Sequence, residues 1–80
     1  MDEKYKFYLY DLGYLIKERA LDAKKAINQT SDNSLEGSFA RGELIALYGI
    51  VTLMQQQAEG FQIPLSELQL DDIDPDKDLI

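Results

Sequence analysis

Apolar residues between Lys4 and Asn28 recur at steps of three or four. Tyr5, Leu9, Leu12, Ile16, Ala20, Ala23 and Ile27 all fall on one side of a 3.6-residue period. The stretch holds no proline and a single glycine, so it predicts a helix over about residues 4–28. The pattern then breaks. Gln29-Thr30-Ser31-Asp32-Asn33-Ser34 is wholly polar, and its side chains compete for backbone hydrogen bonds, which predicts a loop. Asn33 followed by Glu36 resembles a capping box, with Ser34 as the alternative cap. A second helix is expected over about residues 35–59, with Gly60 as its left-handed stop and Phe61 folding back onto the last turn. Two helices of about 25 residues, each roughly 37 Å long, joined by a short polar connection, describe an antiparallel hairpin. Pro64 is suited to open a short helical turn over about residues 64–68. Residues 1–70 therefore read as one helical hairpin domain. Residues 71–80 carry little apolar material and read as an acidic, flexible tail, dispensable for folding.

The first helix has a second apolar side. Phe7, Tyr14 and Leu21 follow one another at seven-residue steps opposite the main stripe, with Tyr10 beside them. One hairpin covers only one side of each helix, so this second side is expected to meet another chain, with the apolar Leu65, Leu68 and Leu70 folding back over it as the alternative. The second helix is apolar over about half its circumference. Ser38, Gly42 and Gly49 cluster on another of its sides, where small residues would let a neighbouring backbone approach. Phe7, Tyr10, Tyr14, Leu21, Ser38, Gly42 and Gly49 are accordingly the candidate self-association or partner face. The expected class is all-α: a helical hairpin with a short C-terminal helical turn, two copies of which pack into a four-helix bundle.

Length adds a reason for assembly. A chain of 80 residues buries only roughly 60% of the surface its unfolded form exposes, so its own core is marginal. With no cysteine there is no disulfide to supplement it, and without cysteine or histidine a structural zinc site is disfavoured. Association remains as the usual device.

Net charge and residue chemistry narrow the function. The formal charge is −7, with 15 Asp and Glu against 8 Lys and Arg, which opposes direct binding to nucleic acid or to an anionic membrane. The apolar run from Leu44 to Met54 is too short to cross a bilayer, which takes about 20 residues. Met1-Asp2-Glu3-Lys4 does not resemble a secretory leader, so a cytoplasmic protein is expected. The lack of His and Cys removes Ser-His and Cys-His nucleophile pairs and the Glu-x-x-His di-iron pattern. Gly37, Gly42 and Gly49 match no phosphate-binding loop. Asp11, Glu18 and Asp22 share a helix side with Lys4, Arg19 and Lys25 close by, which reads as a solvated, salt-bridged face rather than a magnesium site. Asp72, Asp74, Asp76 and Asp78 alternate like the start of a calcium loop, but Lys77 stands where that loop needs glycine. No cofactor and no metal are expected.

The sequence thus leads to a small non-catalytic homodimer that acts as a protein-interaction or regulatory module. An acidic nucleic-acid mimic that blocks a DNA-binding protein is the alternative. Residues 71–78 hold five Asp and one Lys, so −4 of the −7 sits in the expected tail rather than along a rigid surface, which weighs against a mimic. A helical enzyme with an unrecognised carboxylate metal site stands third.

Overall fold

Helix α1 spans Glu3–Gln29 and helix α2 spans Leu35–Gly60, and they pack against each other as a hairpin in the computed structural model. The structure describes residues 3–30 and 33–80. Ser31 and Asp32, in the middle of the expected loop, and Met1 and Asp2, at the start of the expected non-leader segment, lie outside the described residues. Among those described there is no strand. Ser34, rather than Asn33, caps α2: its hydroxyl accepts from the Gly37 N–H at 2.9 Å, satisfying one of the free donors of the first turn.

The end of α2 differs from the glycine stop that the sequence suggests. Gly60 is still helical, and it is Gln62 that turns left-handed, at φ 58°. The Gln62 N–H donates to the Glu59 carbonyl at 3.1 Å and the Ile63 N–H to the Ala58 carbonyl at 2.8 Å, the paired bonds of a Schellman ending. Ile63, not Phe61, folds back onto the core, while Phe61 stays exposed. The stop is displaced by two residues because burying Ile63 outweighs the preference for glycine in the left-handed position. The motif recurs after the short 3-10 turn Leu65–Leu68, where Gln69 has φ 54° and Leu70 N–H reaches back to the Leu65 carbonyl.

Residues 71–80 are not a free tail. After the 3-10 turn the chain runs back along the groove between α1 and α2, parallel to α1 and antiparallel to α2. Gln69 reaches the Tyr10 carbonyl, Leu68 lies over Gly13, Asp72 meets Lys17, and Lys24 donates to the Ile80 carbonyl. On the α2 side Gln55 holds Leu70 and Ile73, and Tyr48 holds Asp76. Leu70 and Leu79 are fully buried, and Ile73 and Pro75 are buried with them. A one-turn helix α3, Pro75–Asp78, is built from the acids themselves. The Asp74 carboxylate caps it by accepting from the Asp76 N–H at 3.1 Å, Pro75 occupies the first helical position, and the Asp78 carboxylate accepts from the Asp74 N–H at 2.8 Å. Like-charge repulsion among these aspartates is countered by backbone donors and by two side-chain partners on the hairpin, Lys17 and Tyr48, so the apolar residues between them are free to dock.

The core follows from this strap. α1 contributes small residues, Gly13, Ala20 and Ala23, while the bulk comes from Leu44, Leu47 and Val51 of α2 and from Leu68, Leu70, Ile73 and Leu79. The inward side of α1 is therefore rotated from the expected stripe toward Gly13 and Lys17, leaving Tyr5 exposed and Leu9, Leu12, Ile16 and Ile27 half-buried.

Candidate interaction surface

The strapped side of the hairpin is held by polar contacts whose partners are far apart in sequence. Lys17 is buried, and its ammonium donates to the Asp72 carboxylate at 2.8 Å while lying 5.7 Å from the centre of the Tyr14 ring. A charge this buried is tolerated only when paired, and the lysine stem meanwhile covers apolar surface. The Gln55 amide donates to the Leu70 and Ile73 carbonyls at 3.1 and 3.0 Å, satisfying backbone groups that lie in no regular element. The hydrogen bond from the Tyr48 hydroxyl to the Asp76 carboxylate, with some desolvation, holds that phenol above its ordinary range.

The bond from Lys17 holds the Asp72 carboxyl below its ordinary value of 3.8, against a smaller opposing effect of desolvation. A carboxyl depressed in the folded state stabilises the fold above its unfolded pKa, and that contribution disappears as the pH falls through the folded value. Asp72→Asn is thus expected to be less stable than the parent near neutrality. The gap between their urea midpoints should close as the pH is lowered from about 5 to about 2. A gap that stays constant over that range would show that the contact is not ionic.

The candidate residues from the sequence do not form one surface. Phe7 and Tyr10 flank the 3-10 turn beside Ser66 and Glu67 and remain exposed, as does Tyr14, while Leu21 is partly buried against the core. The strap thus lies beside this side of α1 without covering it. Ser38, Gly42 and Gly49 are on α2, exposed, and Ser38 accepts from the Arg41 guanidinium at 3.3 Å. A Cβ built on Gly42 or Gly49 meets no atom within 4 Å, so within one chain neither lines a close crossing. The close crossing occurs at Gly13, where a Cβ would overlap the Leu68 carbonyl oxygen and lie 2.8 Å from its carbon.

Opposite the strap the groove between the helices is open. Asp22 and Ala26 of α1, Thr30 just beyond its end, and Leu35, Glu36, Phe39 and Glu43 of α2 line a depression there, and Arg19 joins Phe39, Glu43 and Leu47 around a second. The helical period brings Tyr8 and Leu15 onto the same side of α1 as Arg19 and Ala26, and Ile50 onto the same side of α2 as Phe39 and Glu43. Their side chains are largely in solvent: Tyr8 is 64% exposed, Leu15 55%, Phe39 71% and Ile50 41%. The seven-residue step from Tyr8 to Leu15 is readable in the sequence. It is masked there by the stronger aromatic row Phe7, Tyr10, Tyr14. Compared with protein-family models, curated proteins and solved structures, the chain matches none of them. No helix among the described residues is long and apolar enough to cross a membrane.

Proposed function

We propose that this protein is a small cytoplasmic, non-catalytic, homodimeric module that acts through protein contacts. The observation that carries the reading is the apolar surface left in solvent. Tyr, Phe, Leu and Ile side chains stand exposed along both helices, including Leu35, Phe39, Ile45, Ile50 and Leu53 on α2 alone. Monomers rarely expose contiguous apolar patches beyond a few hundred Å² unless the patch is used. Sedimentation equilibrium at micromolar concentration is expected to return about twice the 9.1 kDa chain mass. A monomer at that concentration would overturn the reading.

The nucleic-acid mimic gains one point, since the acidic strap is packed on the body rather than free. Four of its five carboxylates are nevertheless engaged within the chain: Asp72 with Lys17, Asp76 with Tyr48, and Asp74 and Asp78 within the turn of α3. That engagement supports a role in holding the strap down rather than in presenting a row of phosphate-like charges.

A further inference from the structure

We infer that the open side of the hairpin, opposite the strap, is the surface on which a second copy of this chain docks, through Leu15, Arg19, Phe39, Glu43 and Ile50. This rests on the homodimer reading above and adds the location of the contact. The fold is one-sided. Residues 70–80 fill the groove on one side of α1 and α2, and no segment of the described chain occupies the other. On the open side both helices offer exposed apolar residues to one partner at once. The aromatic row of Phe7, Tyr10 and Tyr14 belongs to α1 alone and is bounded by the 3-10 turn.

The size of the surface suits a second copy. The molecule is 47 Å long and 16 to 22 Å across, so one side offers roughly 750 to 1,000 Å², close to the ~800 Å² per partner of stable complexes. Hairpin on hairpin also gives the four-helix geometry in which each helix buries its remaining apolar side.

Charge supplies the register. Arg19 and Glu43 border the same depression on opposite helices, and neither makes an ion pair or hydrogen bond among the described residues. A two-fold axis along the hairpin lays α1 of each copy on α2 of the other. Arg19 then falls beside Glu43 of the second copy, and the contact is made twice, as an isologous interface requires. The apolar residues Leu15, Phe39 and Ile50 flank that pair and exclude water from it.

The test uses the full chain and sedimentation equilibrium, with helical circular dichroism to confirm that each variant is folded. Leu15→Glu and Ile50→Glu, at exposed helix positions, should leave the helical signal in place and weaken dimerisation at least tenfold. Arg19→Glu and Glu43→Arg should each weaken it, and the two combined should restore much of it, which a merely destabilised fold would not do. A dimer that is unaffected by these variants but lost in Phe7→Glu or Tyr14→Glu would overturn the location and leave the homodimer reading standing. A monomeric parent would overturn both.

Discussion

A chain ending at Leu70 is expected to lose its cooperative urea transition, or to unfold with a midpoint close to zero denaturant. Residues 71–80 bring Ile73 and Leu79 into the same core as Leu44 and Val51. Burying an aliphatic side chain of that size is worth about 1.5–3 kcal/mol. The total stability of a domain of this length is only about 4–12 kcal/mol at 0.05–0.15 kcal/mol per residue. Loss of two such anchors, together with the partner of a buried lysine, is comparable to the whole. Leu79→Ala and Leu70→Ala, which truncate fully buried side chains, should each cost about 2–5 kcal/mol. Urea unfolding followed by circular dichroism at one fixed protein concentration reads both effects, since association would otherwise shift the midpoint. An unchanged midpoint in the truncated chain would mean that the strap does not belong to the folding unit.

The second large effect is expected at Gly13. In a helix interior, Gly→Ala ordinarily stabilises by about 1 kcal/mol. At Gly13 the added methyl runs into the Leu68 backbone, which cannot rotate away as a side chain could, because the 3-10 turn is fixed on both sides by Leu65 and Leu70. Gly13→Ala should therefore destabilise by about 1–3 kcal/mol, the usual range for overpacking, with the helix preference already overcome. Gly42→Ala and Gly49→Ala are the matched controls. Both meet open space, so each should stabilise by about 0.4–1 kcal/mol. Stabilisation at all three positions would show that the Leu68 turn gives way, and that α1 and the strap are less tightly apposed than their geometry indicates.

The two helices were legible because each is long enough for its apolar period to dominate, and because a wholly polar run separates them. Even the cap was within reach, since the choice between Asn33 and Ser34 is local chemistry. The strap was not. Ile73, Pro75 and Leu79 are spaced among aspartates with no helical or strand period, so composition alone reads them as a solvated tail. Asp74-Pro75 was the one local signal, an acidic cap before a first-turn proline, and it is too short to compel docking by itself. What docks the segment is nonlocal: Lys17, Gln55 and Tyr48, which reach it across 55, 15–18 and 28 positions of sequence. The same holds for the glycines. Their identity was visible, but only the path of the strap decides that Gly13 carries a backbone crossing while Gly42 and Gly49 face open space.

By itself, then, the sequence determined the helical class, the hairpin and the surplus of apolar surface, because helix period and turn chemistry act over a few residues. Which side of the hairpin that surplus occupies was decided by tertiary structure. Burial of Leu70, Ile73 and Leu79 closes one groove and leaves the other open, and that outcome depends on packing between segments more than forty residues apart in sequence, such as the Leu68 backbone against Gly13.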